Sequence, residues 1–279
     1  MAFKTEKFAK LIESRLRPNL QQLKEEYERN ASKCGVKYLA IDEFLPENDA
    51  IEIHQAFQPA STAWREMKSF RERKLTTKQF EQFPKVLGEI TFAIQDLMIV
   101  NLFAEITGIK SPIGDPALYA GGLSIMRAGD FLNPHIDNSH DQDRKLYRRL
   151  NLLYYVTPNW KLADGGHLEL WDSNVSKPVV VESRFNRMVL METTHTSYHS
   201  VNQVKTIGHR CCVSNYYFSP ISPSGLEYFH VTEFKGRPEE PFKRAVSQVD
   251  TLLRSMVRKV KKSGLGARDV YEAPAKKDK

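Results

Sequence analysis

The sequence predicts a mainly β fold with flanking helices, built on a double-stranded β-helix core of the jelly-roll, cupin-like kind. Three observations carry that expectation. From about residue 117 to 232, short β-rich runs are separated by Gly, Pro, Asn and Asp, which is the pattern of a sandwich or barrel rather than of alternating βα units. On both sides of this region, apolar residues recur at helical spacing. Inside it lies FLNPHID (residues 131–137), where His135 and Asp137 would share one face of an extended strand.

Taken in order, residues 4–16 and 19–30 read as two helical pieces divided by Pro18, with Phe8, Leu11, Ile12 and Leu16, then Leu20, Leu23 and Tyr27, forming apolar stripes. Residues 37–45 read as a strand leading into Pro46. A helical stretch carrying Ile51, Ile53 and Phe57 follows, and after Pro59 another carrying Trp64, Met67 and Phe70. Residues 84–107 form the strongest helical pattern. Pro84 suits a first-turn position, Leu87, Ile90, Ile94, Leu97, Met98 and Leu102 make the stripe, and Gly108 suits the stop. The β region then offers strands at 118–126, 150–156, 167–171, 179–181, 188–191, 200–204 and 210–218. Residues 239–263 return to a helical pattern, with Phe242, Ala245, Val249, Leu252, Leu253, Met256 and Val260 on one face, and 264–279 read as a tail. The expected organisation is one structural unit: helical support and a lead-in strand over 1–110, the jelly-roll core over 111–234, and an amphipathic helix with a basic tail over 235–279.

At 279 residues the chain is long enough to bury a sizeable core, and 41% hydrophobic with 27% charged residues is the balance of a soluble globular protein. No apolar run approaches the roughly 18–20 residues of a membrane span. The first residues lack the charged-then-apolar pattern of a secretory signal, and three cysteines (Cys34, Cys211, Cys212) cannot form an even disulfide framework. The expectation is a cytoplasmic protein with no membrane partner. The net charge of +7 is carried by residues 235–279, which hold 13 Lys/Arg against 6 Asp/Glu. A charge run of this kind reads first as a solvated helix face, so nucleic acid is not the expected partner.

The chemistry-bearing residues lie mostly in the β region. His135 and Asp137 would need one more imidazole from another strand to complete two histidines and one carboxylate, the set that leaves open positions on non-haem iron(II). His199, in YHSV (198–201), is the candidate. Under strict alternation Arg210, Cys212, Ser214 and Tyr216 share a face. An inward arginine is costly unless an anion meets it, and its fork suits a carboxylate; an arginine at a strand end that reaches water is the plainer alternative. Asn151, Leu153 and Tyr155 likewise share a face, where a tyrosine either fills the core or donates to a bound acid. The turn ADGG (163–166) reads as structural punctuation. His195 and His199 have the spacing of a zinc-protease helix, but Thr196 stands where that motif needs Glu, which excludes it. His54, His140, His167, His209 and His230 have no partner at ligand spacing.

Together these residues resemble the Fe(II)- and 2-oxoglutarate-dependent dioxygenases, in particular the prolyl-4-hydroxylase-like branch, over roughly residues 117–220. The resemblance implies that His135, Asp137 and His199 hold the iron. It implies that Arg210, after Gly208 and His209, grips the distal carboxylate of 2-oxoglutarate with Ser214 in support. Tyr155 matches the cosubstrate tyrosine, in the run 149–156 that is followed by Trp160 and the Gly165, Gly166 turn. One position departs from the family: Met126 stands where a tyrosine is frequent, and Asn151 is the candidate for the displaced hydrogen bond. Halogenating relatives have Gly or Ala at the position of Asp137, so the carboxylate here implies hydroxylation.

The implied cofactors are Fe(II), the cosubstrate 2-oxoglutarate and O2, with ascorbate as a reductant. The implied reaction is hydroxylation of an unactivated C–H bond with release of succinate and CO2. A small polar metabolite or amino-acid-like molecule is the expected substrate, read by Arg127, Asn138, Trp171, Asn202 and Tyr216, in a monomer or homodimer. The alternatives are a hydroxylase of prolyl or other protein side chains, a jelly-roll module that binds metal without turnover, and a nucleic-acid anchor in the basic C-terminal segment.

Overall fold

A computed structural model describes residues 3–240, 244 and 270–272. The chain opens with α1 (Glu6–Leu16) and α2 (Leu20–Cys34), separated by a single 3-10 turn, Arg17–Asn19, that holds Pro18. Then come β1 (Tyr38–Ile41), α3 (Glu47–Gln55), β2 (Arg65–Lys68), β3 (Glu72–Thr77), α4 (Val86–Ala93) and α5 (Leu97–Thr107). The β region supplies β4 (Ile113–Gly114), β5 (Gly122–Met126), β6 (Phe131–Ile136), β7 (Tyr147–Tyr155) and β8 (Leu168–Trp171). It continues with β9 (Pro178–Val181), β10 (Arg187–Glu192), β11 (His199–Val201), β12 (Arg210–Ser219) and β13 (Glu233–Phe234).

Every described strand pairing is antiparallel. The order is β1-β10-β7-β12-β5-β3-β6-β11-β8-β9, with β13 added to β6, β2 to β3 and β4 to β12. This is a large sheet nearly closed into a barrel, the double-stranded β-helix that the strand pattern predicts. β3 joins its two halves, pairing Leu75 with Ile125 of β5 and Glu72 with Leu132 of β6.

Alternation gives the walls two faces. Leu150, Leu152 and Tyr154 of β7, Met188 and Leu190 of β10, and Cys211, Val213 and Tyr217 of β12 turn outward. They share one apolar core with Phe8, Ile12, Leu16, Ile90, Leu102 and Phe103 of the helices. Each fully buried side chain of this kind contributes about 1.5–3 kcal/mol. The intervening residues face the barrel interior.

Two elements differ from the sequence expectation. The stretch with Trp64, Met67 and Phe70 is not a helix but the β2–β3 hairpin. The Ser69 hydroxyl accepts from the amides of Arg71 and Glu72 and the Ser69 amide donates to the Glu72 carbonyl, which closes a turn that helical spacing alone does not reveal. The pattern over 84–107 is two helices, α4 and α5, bent by 46°. Asp96 breaks it by capping α5, its carboxylate accepting from the Met98 amide. The helical pattern expected over 239–263 lies almost wholly outside the described residues. Among the described residues no single helix is long and apolar enough to cross a membrane.

Candidate active site

The site is built where β6 and β11 lie side by side. His199 is the direct antiparallel partner of His135, so the second imidazole comes from the neighbouring strand. Asp137, the first residue past β6, keeps the i+2 direction of His135. The ring Nδ1 of His135 donates to the Asn133 carbonyl at 3.0 Å, and that of His199 to the Ser197 carbonyl at 3.1 Å. A carbonyl only accepts, so both Nδ1 atoms carry the proton and both Nε2 lone pairs are left free. Those Nε2 atoms stand 3.7 Å from Oδ1 and 3.7 Å from Oδ2 of Asp137 respectively. One ligating atom from each residue falls within 4.8 Å of the others, and all three residues are buried or nearly so.

The electrostatics keep this set in its metal-binding protonation state. Burial, helped by His199, pushes the His135 pKa down to about 3, so its imidazole is neutral. Burial alone would raise the Asp137 pKa, but the Arg148 guanidinium, then His199 and His135, outweigh it and hold the value at about 2. Arg148 lies 3.5 Å from Asp137 Oδ1, donates to Asn138 Oδ1 at 2.8 Å and stacks 4.2 Å from the Tyr216 ring centroid.

The triad forms part of the wall of a cavity of about 290 Å³. Arg210, Cys212, Ser214 and Tyr216 of β12 line it, as do Asn151, Leu153 and Tyr155 of β7. Both sets are those that strict alternation brings to one face. The Arg210 guanidinium lies 5.2 Å over the Tyr155 ring, and burial raises the Tyr155 phenol well above its usual range. Gly166 makes room for this arginine: a Cβ there would meet Val204 at 2.9 Å and Arg210 Cδ at 3.1 Å. Met126 is buried, pairs with Arg210 across β5 and β12, and lines the same cavity. Ser214 donates its hydroxyl to the Gly122 carbonyl, and Asn151 donates its amide to the Tyr216 hydroxyl.

Asp137 Oδ2, Arg210 Nε and the Tyr155 hydroxyl are buried with no hydrogen-bond partner among the described residues. Buried polar groups are normally partnered, so these atoms mark places where something else completes the site. Two imidazole nitrogens and a carboxylate oxygen suit Fe(II) with positions to spare, and a planar acid suits Arg210 beside Tyr155. The residues present therefore fit both an iron ion and 2-oxoglutarate.

Four residues expected to read a substrate are not among those lining the cavity. Arg127 pairs with Glu66 at 2.8 Å and with Asp130 at 3.6 Å. Trp171 has the opposite parity to cavity-lining Leu168; its ring N–H donates to Ser200 and it packs with Ile136, Val175 and Tyr198. Asn202 accepts from the His167 amide, and Asn138 is held by the His140 carbonyl and Arg148. Tyr216 alone of the five lines the cavity.

Other residues, not expected from the sequence, do meet the site. Glu72 and Lys74 of β3 line the cavity, and Phe234 of β13 stacks on His135 with centroids 5.1 Å apart. Arg148 is hidden by a β-bulge. Tyr217 pairs with Leu150 and Phe218 with Arg148, so Arg149 is the extra residue and Arg148 is turned inward. Alternation counted back from Tyr155 would have chosen Arg149, which instead reaches Glu192 and the Ile221 carbonyl.

Residues 121–218 match the family model of the 2OG-Fe(II) oxygenase superfamily. Over 90 residues, 29% of this chain, the sequence is 34% identical to the prolyl 3-hydroxylase OGFOD1 of Xenopus laevis; the match spans 18% of that relative's length. Among solved structures, the fold is similar to a prolyl hydroxylase from Trichoplax adhaerens in complex with a hypoxia inducible factor oxygen degradation domain peptide fragment. That likeness has a TM-score of 0.53 and 18% identity and covers 74% of this chain and 92% of the other. It is also similar to SnoN, a non-heme alpha ketoglutarate dependent epimerase from nogalamycin biosynthesis, with a TM-score of 0.51, 13% identity and coverage of 80% and 86%. At these identities the structural likeness is one of fold.

Proposed function

We propose that this chain, whose residues 121–218 match the 2OG-Fe(II) oxygenase superfamily model, is an oxygenase of that kind and hydroxylates an unactivated C–H bond of a small, polar, amino-acid-like molecule. The observation that carries this reading is a cavity whose wall brings together the His135, Asp137 and His199 atoms, the Arg210–Tyr155 pair and further charged side chains. At about 290 Å³ it sits at the small end of the roughly 300–1,000 Å³ usual for ligand sites.

When bound, Fe(II) with 2-oxoglutarate and O2 supplies the oxidising chemistry: R–H, O2 and 2-oxoglutarate give R–OH, succinate and CO2. The chain supplies position and exclusion of water. In this reading His135 and His199 offer Nε2, Asp137 offers a carboxylate oxygen, and Arg148 steadies that carboxylate from behind. Arg210 takes the far carboxylate of the cosubstrate with its fork, and Tyr155 donates its hydroxyl. Leu132, Leu153, Leu168, Val201 and Phe234 supply an apolar lining that limits water around the reacting group. No side chain is required as a general base.

A second reading, hydroxylation of a prolyl residue within a protein, is favoured by the 34% identity to a relative named as a prolyl 3-hydroxylase. A panel of metabolites, free amino acids and proline-containing peptides, incubated with the full chain, Fe(II) and 2-oxoglutarate, separates the two by mass spectrometry. Gain of one oxygen on a small molecule supports the first reading. Gain on peptides alone replaces it with the second, and no succinate from 2-oxoglutarate under any condition overturns both.

A further inference from the structure

We infer that Glu72 and Lys74 read the two charges of a zwitterion, so that the molecule hydroxylated is a free amino acid bearing both an ammonium and a carboxylate. This rests on the proposed function and names the substrate class of the same cavity.

The placement follows from strand geometry. β3 sends alternate side chains inward, and Glu72, Lys74 and Thr76 all line the cavity that His135 and Asp137 line. Arg73, between them, turns the other way to Asp130, 3.2 Å from its carboxylate. Glu72 Oε2 and Lys74 Nζ lie 3.0 Å apart, with 20% and 25% of their side chains accessible.

An ion pair is a poor way to build a cavity wall. Withdrawing two charges from water offsets most of their attraction, and apolar residues of similar size are often as stabilising. The contact engages one carboxylate oxygen and one of three ammonium N–H groups, so each head group keeps bonding capacity. Arg71 lies over the Phe234 ring that stacks on His135, and two other cations beside the site are already engaged. Arg148 balances Asp137, and Arg210 stands beside Tyr155.

A ligand with both charges would lay its ammonium on Glu72 and its carboxylate on Lys74 and close a ring of four alternating charges. A ligand with only one charge meets one partner and one like charge, which is discrimination by repulsion as well as by attraction. A residue inside a polypeptide carries neither backbone charge and gains nothing from the pair.

The test uses the full chain with 2-oxoglutarate and the twenty common free L-amino acids, each beside its N-acetyl and its amide form. Mass spectrometry with Fe(II) reads oxygen gain, and the shift in melting temperature with Mn(II) in place of iron reads binding without turnover. The expected result is at least one free amino acid scoring in both, with each capped form bound at least about tenfold more weakly. In Glu72→Gln the penalty for N-acetylation should collapse while that for amidation stays. In Lys74→Gln the reverse should hold.

The wild-type comparison of free with capped forms decides the matter even if a variant folds poorly. Capped forms bound as well as free ones, no free amino acid scoring, or variants that weaken every form in parallel would each overturn the inference. Wild-type succinate formation without any preference for free forms overturns it alone. Absence of succinate altogether overturns the proposed function instead.

Discussion

His135 and His199 stand directly opposite one another in the β6–β11 pairing, and their Nε2 atoms approach different oxygens of Asp137, each at 3.7 Å. The relationship is set by backbone. A shared pairing position brings the rings to a centroid distance of 4.2 Å, and two backbone carbonyls fix the tautomers. Orienting partners of metal ligands are worth about 10–100-fold in affinity, so loss of a ligand itself should cost at least about 100-fold. His199→Ala should therefore weaken Mn(II) binding by that factor in calorimetric titration. Unchanged affinity with the fold retained would remove His199 from the metal site.

Arg148 should prove the costliest surrounding residue to remove. Its side chain is 1% accessible and it is the cation beside Asp137. Breaking a buried pair costs about 3–5 kcal/mol because the remaining charge is left uncompensated. Arg148→Ala should lower stability in urea by about that amount, and a loss under 1 kcal/mol would contradict the role given to it.

The barrel's inner face was legible where period-two alternation held. Arg210, Cys212, Ser214 and Tyr216, with Asn151, Leu153 and Tyr155, line the cavity as their parity requires, and His135 and Asp137 converge for the same local reason. Arg148 was not legible, because a bulge at Arg149 inverts the parity and nothing local marks it. The strand β3 was masked by Trp64, Met67 and Phe70, whose spacing imitates a helix while Glu72 and Lys74 carry the inward face. Trp171 was excludable from sequence: it lies three residues after Leu168, so the two face opposite ways.

Acid should destabilise the metal-free chain early. Burial is the first cause lowering the pKa values of His54, His135, His140, His167 and His230 below 6.5. The unfolded chain then takes up protons that the folded chain refuses, so stability is full above about pH 6.5 and is lost as pH falls below it. His135 alone accounts for about 1.4 kcal/mol one pH unit below that value, a few degrees in melting temperature. The upward-shifted carboxyls of Asp115 and Glu192 act oppositely, because burial makes the folded chain hold their protons more tightly than the unfolded chain does. A melting temperature that stays level or rises between about pH 7.5 and about pH 5.5 would contradict the assignment.

Arg210→Ala should weaken 2-oxoglutarate binding by about tenfold or more, the loss expected for hydrogen bonds to a charged group, with the fold intact. Titration of the Mn(II)-loaded chain checks it. Equal affinity in wild type and variant would mean that the acid sits elsewhere in the cavity.

The most direct test is the conversion of 2-oxoglutarate to succinate by the purified full chain, with and without Fe(II) and O2, beside Asp137→Ala. The expected result is succinate that requires both the iron and the oxygen and is abolished in the variant. Succinate formed without iron, or at the same rate by Asp137→Ala, would contradict the account.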